Sequence, residues 1–204
     1  VPNTVAHEKC AEYLINQFQS FGAAVKIQED LVSRFDGVNM FMKNIIASYN
    51  LAANKRILLC AHWDSRFMAD YDSIDIQKPI SGANDGGSGV GVLLEIARQF
   101  YNYPVDVGID IILFDVEDQG QPNGALKPVP HSWCLGSQYW SKNPHVSNYF
   151  ADYGILLDMV GGEGAKFTKE GVSLHFASTI LDKVWDFANR NGFNDFFLDQ
   201  ETPS

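Results

Sequence analysis

Cationic residues are scarce in this chain: 15 Lys and Arg stand against 25 Asp and Glu, for a formal net charge of −10. A nucleic-acid surface needs clustered Lys and Arg, so that class is excluded. Cysteine is sparse as well. Cys10, Cys60 and Cys134 are odd in number and form no CxxC pair, which argues against a disulfide framework. Long hydrophobic runs are missing: the longest, Ile109 to Phe114, is strand-sized and contains Asp110, far short of the roughly 18 apolar residues of a membrane span. Internal repeats, low-complexity segments and a signal-peptide pattern are absent, and the chain opens on Val1-Pro2-Asn3-Thr4, as a processed or trimmed product would.

What is present is ordinary globular composition, 46% apolar and 20% charged over 204 residues, enough for one domain with a sizeable core. Thr4 to Phe21 carries apolar residues at helical spacing (Val5, Ala11, Leu14, Ile15, Phe18, Phe21), with Thr4 as N-cap and Gly22 as stop. Strands are predicted over Val25 to Val32 and Met40 to Tyr49, with Asp36-Gly37 turning between them. Buried strands are predicted at Arg56 to Ala61, Gly108 to Phe114 and Tyr153 to Leu157. Helices are predicted over Ser88 to Tyr101 and about Thr179 to Asn191, with one or two helical turns at Ser137 to Ser141. Asp64 to Gly82 and the Gly- and Pro-rich stretch Asp118 to His131 read as loops. Strands alternating with helices imply an α/β fold of three layers, α-β-α, around a central mixed sheet.

Polar residues gather just after the buried strands. His62 and Asp64 follow the first, Glu117 and Asp118 the second, and Asp158 the third. Open α/β sheets bind ligands outside the carboxyl ends of their strands, so these side chains are predicted to share one edge. Asp85 lies in Gly82-Ala83-Asn84-Asp85-Gly86-Gly87-Ser88-Gly89, where glycines allow a tight turn toward the same edge before a helix. That loop lacks the Lys of a P-loop and the GxGxxG spacing. Four carboxylates and an imidazole pressed together repel as ions, and a divalent metal removes the conflict. The mixed nitrogen and oxygen donors favour zinc or another transition metal over magnesium or calcium. Taken alone, each residue also fits a bland role: His62 as a core histidine, Asp85 as an acid at a helix start, Glu117-Asp118 as a solvated turn, Trp133 as packing. Asp158, between Leu157 and Met159, is expected to be partly buried.

Together the segments Leu58-Leu59-Cys60-Ala61-His62-Trp63-Asp64-Ser65, Gly82 to Val90, Leu113-Phe114-Asp115-Val116-Glu117-Asp118 and Leu156-Leu157-Asp158-Met159-Val160-Gly161 resemble peptidase family M28 in content and order. Within that family the runs Ala61 to Arg66, Phe114 to Asp118 and Ser132 to Trp140 look closest to glutaminyl cyclases of the animal type, in particular their bacterial relatives. The resemblance implies that residues 1–204 are one catalytic domain of that family, trimmed at both ends. It implies that Asp85 and Asp118 bind zinc, with Asp118 where relatives usually carry Glu, that a further ligand is a His beyond Ser204, and that Glu117 is the general base. It further implies that Asp64 orients His62 and that Trp133 walls the substrate pocket. It also implies a periplasmic or envelope location in a bacterium.

Two reactions at peptide or protein N-termini are compatible with these residues. A glutaminyl-peptide cyclotransferase would use one zinc, with Asp158 hydrogen-bonding the substrate. An aminopeptidase would use two, with His62 and Asp158 as ligands of the second. A binding module that kept the fold and lost catalysis is the non-enzymatic alternative.

Overall fold

The computed structural model describes residues 1–122 and 124–202. Helix α1 (Val5–Ser20) starts where the Thr4 hydroxyl accepts the His7 N–H at 3.2 Å, and it turns His7, Ala11, Leu14 and Phe18 inward. Helical spacing alone creates that stripe. Gly22, at φ 78°, ends the helix in the left-handed conformation its position requires. Strands β1 (Ala24–Ser33) and β2 (Asn39–Tyr49) then form an antiparallel hairpin. Its turn is held by Arg34 clamping Asp36 and by Gly37 at φ 85°.

Next come β3 (Arg56–His62), α2 (Gly87–Asn102), β4 (Gly108–Phe114), α3 (Leu135–Lys142) and β5 (Tyr153–Leu156). The five strands make one sheet in the order β1-β2-β4-β3-β5. Only β2 runs against the others: it is antiparallel to β1 and β4, while β3 is parallel to β4 and β5. Every residue of β4 is buried, as befits a central strand covered on both faces.

Alternation along the strands divides two cores. Ile45, Ala47, Leu59, Ala61, Ile109, Ile111 and Leu113 pack with α1 and α2, whereas Ile46, Cys60, Ile112 and Phe114 pack with Trp140 of α3. This is the three-layer α/β arrangement the strand–helix alternation predicts. Full burial of a side chain such as Phe18, Ile45 or Ile111 contributes about 1.5–3 kcal/mol. Asp110 is the polar exception within β4. It accepts two bonds from Arg56 (2.7 and 2.8 Å), one from Ser48 (2.6 Å) and one from Tyr149 (2.9 Å). A buried carboxylate is tolerable only with partners of this kind.

Residues 1–160 and 161–204 are two compact units. In the second, β6 (Phe167–Glu170) and β7 (Phe197–Thr202) pair in parallel across α4 (Gly171–Arg190). Glu170 caps α4 through the Val172 and Ser173 N–H groups, and Phe167, Trp185 and Phe197 form its aromatic centre. Here the structure departs from the sequence reading. The helix begins eight residues earlier than Thr179, across a non-helical Ala177, and the two strands were not anticipated. Among the described residues no helix is long and apolar enough to cross a membrane.

Candidate active site

Because β3, β4 and β5 are parallel neighbours, their carboxyl ends open on one edge. His62 is the last residue of β3, Glu117 and Asp118 follow β4, and Asp158 follows β5. Asp85 precedes α2, whose Gly89 sits so close to the Leu157 carbonyl that a Cβ there would lie 2.4 Å away. That close approach draws the Asp85 loop toward the end of β5. The side chains meet accordingly. His62 Nε2 is 2.9 Å from Asp85 Oδ1 and 3.4 Å from Asp158 Oδ1, and its Nδ1 is 3.5 Å from Asp64 and 3.9 Å from Glu117.

The Glu117-Asp118 turn is held from two sides. Asp64, buried, accepts the N–H groups of Glu117 (3.0 Å) and Asp118 (3.2 Å) and the Gln119 amide (3.0 Å). The first turn of α3 adds three donors, from Cys134, Leu135 and Gly136 to the carbonyls of Glu117, Val116 and Asp115. Gly136 must be glycine, since a Cβ would lie 2.1 Å from the Asp115 oxygen. Val116 is left-handed at φ 53°, a costly conformation for a β-branched residue. Such strain, about 1–3 kcal/mol, persists only where the surroundings over-determine it. Met159, next to Asp158, is left-handed as well at φ 50°.

Burial pushes the Asp118 carboxyl up to about 7, reinforced by the charges of Asp85, Asp64 and Glu117. Burial raises Glu117 too, against the pull of the Cys134 thiol, which donates to it at 3.1 Å, and of His62. His62 is driven the other way, to about 11: burial opposes its charge, but the Asp158 and Asp64 carboxylates outweigh burial. Two acids forced toward neutrality beside a forced imidazolium is the conflict a divalent cation relieves. The donors fit such an ion. One ligand atom each from His62, Asp85 and Asp158 lie within 4.8 Å of one another. Neither His62 nitrogen makes a hydrogen bond of good geometry, and Asp118 Oδ2 is buried with no partner among the described residues. Asp118 stands outside that three-residue cluster, and Asp85 reaches it through its charge.

Asp158 is partly buried. Its side chain is 46% exposed, and Met159 beside it is exposed too. Trp133 lies over Gly120, half-exposed, with the Arg66 guanidinium 4.5 Å from its ring centroid. Arg66 escaped the sequence reading. Buried, it pairs with Asp70 and donates to the carbonyls of Asp118 (2.9 Å) and Gly120 (3.2 Å), fixing the loop under Trp133. Cys134 and Gln119 were missed as well. All three sit within or beside the motif runs, but nothing in their spacing marks them off from surface residues.

The arrangement has close parallels. The chain aligns over its whole length with a Zn-dependent exopeptidase from Parabacteroides distasonis, at 48% identity and a TM-score of 0.98, spanning 70% of that chain. It does so equally with a glutaminyl cyclase of Bacteroides thetaiotaomicron bound to N-acetylhistamine (48%, TM-score 0.97, 71% of that chain). A leucine aminopeptidase precursor from the same bacterium matches at 48%, with a TM-score of 0.97 and 71% of that chain covered. The chain spans 32% and 37% of the length of two curated Escherichia coli relatives. The family model described as Peptidase family M28 matches residues 44–204, which include every acid of the site and His62, and the chain belongs to that family.

Proposed function

We propose that this chain carries the catalytic residues of a zinc-dependent glutaminyl-peptide cyclotransferase, which closes an N-terminal glutamine to pyroglutamate and releases ammonia. The observation that carries this reading is the likeness, over the whole chain, to a protein known as a glutaminyl cyclase, together with a partly buried Glu117 carboxyl at the edge where His62, Asp85 and Asp158 meet. Asp85 and Asp118 would hold zinc with a histidine from beyond Ser204, and the ion would polarise the γ-carboxamide oxygen. Residues 1–204 are read as part of one catalytic domain, exported to the periplasm or envelope.

The protein's own groups do the rest. Glu117, its basicity raised by burial, takes a proton from the α-amine as that nitrogen bonds to the side-chain carbonyl carbon. The bond from that carbon to the amide nitrogen then breaks, and Glu117 returns the proton to the departing ammonia. Asp158, exposed and held ionised by His62, is placed to accept a hydrogen bond from the substrate. Trp133 on its Gly120 and Arg66 support walls the pocket, and excluding water favours ring closure over hydrolysis.

The second reading is an aminopeptidase. It is favoured by the convergence of His62, Asp85 and Asp158, a ready ligand set for a second zinc, and by the aminopeptidase precursor among the relatives. A paired assay on the full-length protein separates them. Ammonia release from a Gln-initiated peptide without amino-acid release supports cyclisation, and release of free amino acid from a Leu- or Ala-anilide rejects it. Glu117→Gln is expected to lower kcat by about a hundredfold or more. Undiminished turnover removes Glu117 from the proton-carrying role.

A further inference from the structure

We infer that His7 and Asp115 form a positioning pair that sets the backbone turn presenting Glu117, a role that rests on reading Glu117 as the proton carrier. His7 comes from α1, 108 residues away in the chain, and its Nε2 lies 2.9 Å from Asp115 Oδ1. Both side chains are buried. The imidazole is fixed edge and face: it stacks on Trp63 at 4.1 Å between centroids, with ring planes 14° apart. Trp63 in turn is pinned by its indole N–H on the Lys43 carbonyl and its backbone N–H on the Phe114 carbonyl.

Asp115 uses its remaining capacity on the turn itself. Oδ1 also accepts the Val116 N–H at 2.9 Å, and Oδ2 accepts the Lys43 N–H at 2.8 Å. Since Oδ1 is an acceptor toward Val116, the His7 Nε2 contact is a donation from the ring. The bond to Val116 N–H spans the peptide leading into the left-handed residue, and Glu117 follows directly. A β-branched residue leaves that region once its neighbours stop enforcing it. Releasing Asp115 from His7 therefore lets the Val116 turn relax and swings Glu117 off line, without touching any group proposed to meet metal or substrate.

The test uses full-length His7→Gln and His7→Leu proteins. The Gln side chain can present an amide N–H where Nε2 stands, and Leu cannot. With a Gln-initiated peptide, His7→Leu is expected to lose kcat by about tenfold to a hundredfold, with KM within about twofold and zinc content unchanged, while His7→Gln keeps most of the wild-type kcat. Full kcat in folded His7→Leu, or equal losses in both variants, overturns the inference. Should His7→Leu fail to fold, Asp115→Asn replaces it: kcat falling with zinc retained supports the pair, and full kcat overturns it. A crystal structure of whichever variant folds reads the turn independently of any reaction. Val116 leaving positive φ supports the pair, and Val116 keeping it overturns the pair, even if the wild type proves to be a hydrolase.

Discussion

Removing the Asp64 carboxylate should destabilise the protein out of proportion to the side chain's size. Asp64 is almost fully buried and accepts from two backbone N–H groups and from Gln119. Asp64→Ala strands those donors, at about 1–3 kcal/mol each. The sum is an upper bound, because Gln119 keeps a second bond to the Ser65 carbonyl and water can fill the space. We expect a loss of about 3–5 kcal/mol, the usual cost of breaking a buried charged network. Asp64→Asn keeps one acceptor but turns an NH2 toward a donor, and should lose about 2 kcal/mol. With a urea slope of about 2 kcal/mol/M, the midpoint of Asp64→Ala should fall by about 2 M. Burial disfavours the Asp64 charge, but His62, Gln119 and the Glu117 N–H overcome it and hold the carboxyl below its ordinary range. A depressed folded value means the contribution is complete above about pH 4 and is shed as pH falls through that folded value. Asp64→Ala should therefore lack this part of the acid limb. An unshifted urea midpoint, measured at neutral pH by circular dichroism, would refute the reasoning.

Zinc uptake should depend on pH near neutrality. In its proposed role as a zinc ligand, Asp118, raised to about 7 mainly by burial, must lose a proton to bind. Apparent affinity should then fall by up to about tenfold per pH unit below 7, and a competition titration that is flat between pH 6 and 8 would contradict this. Gly136→Ala should cost about 2–3 kcal/mol through overpacking against the Asp115 carbonyl and Asn44, read as a drop of about 5–10 °C in Tm. Trp133→Ala should raise KM for a Gln-initiated peptide by about tenfold with a smaller change in kcat, and an unchanged KM removes Trp133 from the pocket wall.

The strands that build the site were legible because each is a short apolar run with a polar residue at or just after its end. Ile57 to His62 and Ile109 to Phe114 announce both the strand and the point where chemistry can begin. The glycines of 82–89 marked the start of α2 for a similarly local reason. What stayed hidden depends on contacts across the chain. His7 reads as one more residue of a helix until Asp115 meets it, and Arg66 as a surface cation until the Asp118 and Gly120 carbonyls close around it. α4 bends at the non-helical Ala177, a break that alanine does not signal in a sequence, while β6 is four half-buried residues without alternation. His62 closes β3, and Asp118 follows β4, where the strand runs predicted them.

The register of β5 on β3 joins Tyr153 to Ile57, almost a hundred residues upstream, whereas β1 and β2 meet through a short turn. Closing so long a loop carries an entropy cost that only the assembled sheet repays. The hairpin can therefore nucleate early, and the edge that unites His62, Asp85 and Asp158 can exist only after β5 has docked. A nascent or refolding chain would thus own a hydrophobic nucleus before His62, Asp85 and Asp158 could meet around a cation.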